Sequence, residues 1–301
     1  MTDIIIIGAG PAGLSAALYA SRAGASVKII EAGAPGGKVN NTAEVENYPG
    51  TKTISGPDLA WELYEHGTSY GAELVMTDVT AIRDEGDRKV VVTPKEELEC
   101  QKVIIATGTK ERLMDVPGEK ELTGKGVSYC AVCDGPFFKN DEVAVVGGGN
   151  SAIEEAIYLA SITKKVHVVM RRDVFRADKY IVDKLMACDN VEFHFKKKPH
   201  QVLAESDKVS GLEVEDADTG ELSVIPAGAV FPFIGLIPMT DFVKDLGITN
   251  DKGYIPTDGN METSLAGVYA VGDVREKSLR QVVTAAGDGA IAGQHAANSL
   301  L

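Results

Sequence analysis

Ile4-Ile5-Ile6-Ile7-Gly8-Ala9-Gly10-Pro11-Ala12-Gly13 decides the fold class. Four apolar residues without polar alternation read as a parallel strand buried on both faces. The glycines that follow are spaced G-x-G-x-x-G, and each has its own task. Gly8 permits a tight turn, Gly10 lets the backbone approach a pyrophosphate, and Gly13 allows close contact between helix and strand. Pro11 and Ala12 open an Ala/Leu-rich helix that runs to about Ala23. Its free N–H groups and positive dipole end suit phosphates. A Gly24 turn and the strand Val27-Lys28-Ile29-Ile30 follow, closed by Glu31. That carboxylate can accept hydrogen bonds from a ribose diol. Alone, the glycine pattern would be no more than a turn. With strand, helix and acid at these offsets it is a βαβ dinucleotide unit.

The unit recurs. Val143-Ala144-Val145-Val146 runs into Gly147-Gly148-Gly149-Asn150-Ser151-Ala152, then a helix through about Ala160 and the strand Val166-His167-Val168-Val169. Gly8 and Gly147 are as far apart as Glu31 and Met170, so the copies are in register. Two dinucleotide sites in one chain suggest a flavin and a nicotinamide that meet. After the second unit, Gly267-Val268-Tyr269-Ala270-Val271-Gly272-Asp273 reads as another strand ending at a nucleotide, and a Gly/Ala-rich helix from about Gln281 to Asn298 closes the chain. Both belong with the first unit. The expected architecture is α/β, with two Rossmann-like dinucleotide-binding domains, one inserted into the other. Residues 1–112 and 240–301 form the first and residues 116–236 the second. Pro and Gly break the pattern near Arg112–Pro117 and Gly235–Met239, where the linkers are expected.

Bulk properties agree. The chain has 301 residues, enough for two domains, with 44% hydrophobic and 25% charged residues. No apolar run approaches the ~20 residues of a membrane helix. Met1-Thr2-Asp3 leads straight into the first strand, without a basic n-region or cleavage site, so the expected compartment is the cytoplasm. A formal net charge of −14 argues against nucleic acid and anionic membranes as partners. Lys196-Lys197-Lys198 reads as a solvated strand end.

Two segments point the first site toward FAD. Val103-Ile104-Ile105-Ala106-Thr107-Gly108 is a strand ending in a turn, and Thr263 with Val268–Asp273 fits a ribityl chain held by a carboxylate. Either alone is only a buried strand with a turn, but both follow a βαβ unit. The second site points toward NADPH. Where an NAD-selective site places an acid, this chain has Met170, then Arg171, Arg172 and Arg176. Guanidinium groups grip a 2′-phosphate that an acid would repel. In isolation they would read as a solvated basic turn.

The four cysteines are Cys100, Cys130, Cys133 and Cys188. Cys130-Ala131-Val132-Cys133-Asp134-Gly135 carries a C-x-x-C pair suited to a disulfide that opens to two thiols. Asp134 can pass the proton that thiol exchange requires. A structural zinc site would need further ligands, and no second pair supplies them. Cys100 and Cys188 read as buried thiols or spectators.

In this order the motifs resemble the low-molecular-weight, bacterial-type thioredoxin reductases. The resemblance extends through Gly36-Gly37-Lys38, Glu44-Val45-Glu46-Asn47-Tyr48-Pro49-Gly50, Ile153-Glu154-Glu155-Ala156, Gly272-Asp273-Val274-Arg275 and Arg280-Gln281-Val282, and so covers essentially the whole chain. It implies a homodimer that passes hydride from NADPH to FAD and electrons on to the cysteine pair, with domain rotation between the half-reactions. It implies that Cys133 stands beside the flavin, that Cys130 attacks the disulfide of thioredoxin or a similar small redoxin, and that Asp134 is the acid–base group. Gly37, Lys38, Asn47, Arg280, Gln281 and Val282 would join the FAD site. Gly147, Gly149, Asn150, Ser151, Ala152 and Glu155 would join the NADPH site.

The chain departs from the family pattern at Met170 (usually His), Lys38 (usually Gln), Val132 (often Thr) and Pro232. None of these removes a reacting atom. Two other readings compete. One is a relative with a different electron donor or redoxin substrate, which would be expected to lose the second glycines or arginines. The other is a non-catalytic flavin redox sensor, which would have no use for an intact nicotinamide site.

Overall fold

The four isoleucines form the centre of a parallel sheet. In the computed structural model, which describes residues 1–42 and 44–300, strand β1 (Thr2–Ile7) is followed by helix α1 (Pro11–Arg22) and strand β2 (Val27–Glu31). β1 lies between β2 and a later strand, residues 97–105, parallel to both, so its side chains are covered on both faces. Helix α2 (Gly56–Thr68) is capped by Ser55, whose hydroxyl accepts the Asp58 N–H. Strand β3 (Glu73–Met76) extends the sheet beyond β2. Strands β4 (Ala81–Asp84), β5 (Lys89–Val92) and β6 (Glu97–Ile105) form an antiparallel meander. β6 changes partners along its length. Residues 97–100 pair with β5, whereas residues 103–105 pair with residues 268–270 near the end of the chain.

The chain divides into two compact units, Met1–Lys110 with Ile237–Leu301, and Glu111–Leu236. Short strand β7 (Thr109–Glu111) marks the first crossing. The second unit contains helix α3 (Ala131–Asp134), strand β8 (Glu142–Val146), helix α4 (Asn150–Ile162), strand β9 (Lys165–Met170), helix α5 (Lys179–Met186) and strand β10 (Val191–Phe195). Strands β11 (Lys197–Glu205), β12 (Lys208–Asp216) and β13 (Leu222–Pro226) then make an antiparallel sheet, before β14 (Ala229–Pro232) returns to the parallel one. The parallel order is β10-β9-β8-β14. One face of it packs on α4 and α5 through Val143, Val145, Val166, Val168 and Met170. The other packs on the antiparallel sheet through Ala144, Val146 and Val169. Lys196 and Lys197 pair with Asp218 and Asp216, so the lysine run is matched by local acids. Pro232 ends the edge strand β14, where a missing N–H costs no internal ladder bond.

Strand β15 (Leu236–Pro238) pairs with β7 at the second crossing. Strand β16 (Val268–Ala270) and helix α6 (Val282–Asn298) complete the first unit. α6 is rich in glycine because it lies very close to α1. A Cβ on Gly289 would stand 2.1 Å from Ala12 O, and one on Gly293 2.3 Å from Ala16 O. Gly13 is tighter still, since a Cβ there would meet Gly8 O at 1.9 Å. Gly13→Ala is therefore expected to destabilise the chain by roughly 3 kcal/mol or more, because backbone rather than a movable side chain must yield. Denaturant unfolding would show this, and a variant within 1 kcal/mol of the parent, on the order of ordinary surface changes, would refute the close packing. No described helix is long and apolar enough to cross a membrane.

Candidate active site

In the first unit, the β1–α1 turn leaves room for a ligand. Gly8 (φ +106°) packs against Ala106, whereas nothing lies within 4 Å of where a Cβ on Gly10 would stand. Gly10 is the N-cap of α1 and no side chain caps that helix, so its first N–H groups are available. Glu31 orders the turn itself: Oε2 accepts the Ala9 N–H at 2.7 Å and Oε1 accepts the Gly33 N–H at 2.7 Å. The carboxylate is thereby aimed by backbone donors, with lone pairs left for a diol. Thr107 donates to Met239 O at 2.7 Å, and Gly108 O accepts the Met239 N–H at 3.0 Å, which fixes the turn after β6.

Asp273 follows β16 in a short 3-10 turn, Gly272–Val274. Its Oδ1 is buried with no hydrogen-bond partner among the described residues. Burial raises its pKa, against the opposing charges of Lys277, Arg280 and Lys38. A buried acceptor without a donor is costly, and a hydroxyl-bearing chain would relieve it. Lys38, in the 3-10 turn Gly37–Asn41, is thus a charge acting on Asp273. Arg280 stacks 4.3 Å from the Tyr254 ring centroid and donates to Asp273 O at 3.4 Å. Asn47 Nδ2 donates to Gln281 Oε1 at 3.2 Å, and Gln281 caps α6 just before Val282. The open glycine turn, the free helix start and the partnerless Asp273 oxygen all fit FAD.

One residue here escaped the sequence reading. Asp288, buried on α6, accepts the Gly272 N–H at 3.0 Å and pairs with Arg275 at 2.8 Å and Lys277 at 2.7 Å. It holds the turn that presents Asp273. An acid inside a Gly/Ala helix was a signal, but its partners were not readable. Asp288→Asn leaves two half-buried cations around a neutral amide and is expected to cost about 3 kcal/mol. Denaturant unfolding would measure this, and an unchanged midpoint would refute it.

In the second unit, Gly147 (φ +145°) lies under Phe233 O, and the position of a Cβ on Gly149 is open. Gly149 is the uncapped N-cap of α4, which begins Asn150-Ser151-Ala152. Asn150 clamps the segment after β9: Nδ2 donates to Asp178 Oδ2 at 2.8 Å, and Oδ1 accepts the Asp178 N–H at 2.9 Å. Arg176 N–H adds a bond to Gly148 O at 2.8 Å. The basic segment is thus tied to the glycine loop. Arg171, Arg172 and Arg176 are exposed. Among the described residues none of them forms an ion pair. Met170 points into the core beneath Gly148, where a Cβ would meet its Cε at 2.5 Å. The side chain in the His position therefore faces away from the arginines' solvent side.

Glu155, one turn into α4, has a buried Oε2 without a hydrogen-bond partner among the described residues. Burial, with Glu154 close by, pushes its pKa up to about 8 from 4.5. Between those values the native state holds a proton that the unfolded chain has lost. The stability present below pH 4.5 is therefore lost progressively as pH rises to about 8. Glu155→Gln should remove this slope, so its stability relative to the parent should climb from pH 5 to pH 8 (roughly the window of the shift). Parallel stability curves would contradict the assignment.

Cys130 and Cys133 form a disulfide, S–S 2.07 Å, across α3. Cys130 is the N-cap, and its Sγ accepts the Cys133 N–H at 3.2 Å. Ser128 Oγ accepts the Cys130 N–H at 3.1 Å, and Asp134 N–H donates to Cys130 O at 3.1 Å. Cys130 and Asp134 are half-buried, whereas Cys133 is exposed. Ala131, fully buried, anchors the segment in the core beside α4. Cys100 is buried and its thiol is pushed up to about 12, which makes it inert. Cys188 is half-buried and free.

Two glycine-loop units and a C-x-x-C disulfide define a nucleotide-dependent disulfide oxidoreductase. Residues 2–289 match the pyridine nucleotide-disulphide oxidoreductase family, and the chain belongs to it. Within that family it groups with the thioredoxin reductases. The thioredoxin reductase of Bacillus subtilis (strain 168) is 48% identical over 292 residues, covering 97% of this chain and 92% of that protein. The crystal structure of Lactococcus lactis thioredoxin reductase superposes with a TM-score of 0.97 at 43% identity, covering 99% of this chain and 98% of the other. That of Streptococcus pyogenes is 50% identical with a TM-score of 0.68, covering 100% and 98%.

Proposed function

We propose that the chain is an NADPH-dependent flavoprotein that reduces thioredoxin, or a similar small redoxin, through Cys130 and Cys133. The observation that carries this reading is the closed Cys130–Cys133 disulfide, set in the unit whose glycine loop is tied to a segment bearing three exposed arginines. Bound FAD would supply a two-electron relay between the nicotinamide and this disulfide. Gly8, Gly10, Gly13, Glu31, Asp273 and the Asn47–Gln281 pair would hold it. Gly147, Gly149, Asn150 and Arg171, Arg172 and Arg176 would hold NADPH, the guanidiniums on its 2′-phosphate.

The exchange itself needs only this chain's sulfurs. In the open pair, the Cys130 thiolate attacks one sulfur of the redoxin disulfide and expels the other as a thiolate. Cys133 then attacks the mixed disulfide, which closes Cys130–Cys133 and releases the second redoxin thiolate. Asp134 passes protons to and from these sulfurs. One flavin face cannot serve both half-reactions together, so the proposal includes a rotation of the second unit between them. It also includes a homodimer working in the cytoplasm, and the net charge of −14 supports the absence of nucleic-acid or membrane partners.

The test is steady-state NADPH oxidation with oxidised thioredoxin, run beside NADH. Thioredoxin-dependent turnover that prefers NADPH is expected. Flavin reduction without thioredoxin turnover would keep the reductase and discard the substrate. No reduction by either coenzyme would discard NADPH as donor.

A further inference from the structure

Away from both nucleotide loops, the second unit assembles a set of side chains that the disulfide chemistry does not use. In the parallel register of β9 and β10, Glu192 stands opposite His167, and His194 follows two residues later on the same face. That is the face turned toward the antiparallel sheet, opposite α4. His167 Nδ1 lies 3.0 Å from His194 Nε2, and His194 Nε2 lies 3.5 Å from Glu192 Oε1. All three donor atoms fall within 4.8 Å of one another.

We propose that His167, His194 and Glu192 form a binding site for one borderline divalent transition-metal ion, of the zinc or cobalt class. Donors at about 2.0–2.2 Å from a tetrahedral zinc stand roughly 3.3 Å apart, and the two separations that His194 Nε2 makes, 3.0 Å to His167 and 3.5 Å to Glu192, bracket that value. Two imidazoles and one carboxylate are a donor set that zinc takes readily, with the fourth position left to water.

The surroundings support the same reading. The far nitrogen of His167, Nε2, lies 3.1 Å from Glu142 Oε2. A carboxylate on that nitrogen fixes its proton there and leaves the Nδ1 lone pair facing His194, the arrangement that orients metal-bound histidines. Glu142 is itself held by Lys164 at 2.8 Å. The exposure rises outward, from 4% for the His167 side chain to 19% for His194 and 48% for Glu192. That gradient gives a fixed inner ligand and an open route for the ion at the edge strand. Lys165 pairs with the other Glu192 oxygen, Oε2, and leaves Oε1 toward the imidazoles.

Untagged protein, cleared with a chelator and kept oxidised so that the Cys130–Cys133 thiols stay closed, would be titrated with zinc chloride by calorimetry and with cobalt(II) by absorption. One ion per chain is expected, with a tetrahedral cobalt spectrum lacking thiolate charge transfer. His194→Ala should abolish binding, and Glu142→Gln should weaken it about 10–100-fold, the usual effect of losing the carboxylate that orients a ligating imidazole. If His167→Ala fails to fold, His194→Ala and Glu192→Gln at the edge strand still decide the question. No saturable binding at one ion per chain would overturn the proposal. So would binding that survives His194→Ala, or that disappears in the Cys130→Ser/Cys133→Ser double variant.

Discussion

Cys133→Ser is expected to keep FAD and NADPH binding while thioredoxin reduction falls by about 10³-fold or more, since residues that act as one unit fail together. The reason is stoichiometric. With one sulfur the chain can form a mixed disulfide with its substrate but cannot close its own. The Cys130 sulfur, with the Cys133 N–H as its donor, is the nucleophile in this scheme. The variant should therefore trap a Cys130–thioredoxin adduct, visible as a covalent band under non-reducing conditions, whereas Cys130→Ser should trap none. Steady-state turnover that survives Cys133→Ser would end the relay, and trapping by Cys130→Ser instead would exchange the two roles.

Arg171→Ala combined with Arg172→Ala should weaken NADPH about 10²-fold and leave NADH nearly unchanged. Each hydrogen bond to a charged phosphate contributes roughly 1.5–3 kcal/mol, and the exposure of both guanidiniums places the pair at the lower end. Neither arginine is engaged with an acid among the described residues, so no internal ion pair is broken and the fold should be unaffected. The comparison of the two coenzymes in KM or in direct binding is the readout. Equal losses for NADPH and NADH would show that the segment positions the nucleotide generally and does not read its 2′-phosphate.

The α/β class and the family were legible in the sequence because their signals are local. Ile4–Ile7 is a run too apolar for anything but a doubly covered strand, and the glycine offsets after it repeat at Gly147. Pro232 read as an oddity, yet it falls at the end of an edge strand, a fact of sheet order that its neighbours do not encode. Met170 read as a change within the nucleotide site, and the pleat turns it into the core instead.

By itself, then, the chain's sequence determined that two βαβ units alternate with a C-x-x-C pair, since strand period, helix start and turn glycines act over a few residues. The tertiary structure alone decided which distant groups share a site. Asp288 with Arg275 and Lys277, Asn150 with Asp178, and His167 with Glu192 and His194 are brought together by helix packing and strand register. A one-residue slip in register would turn His194 to the opposite face. That is the physical reason such pairs cannot be read along the chain.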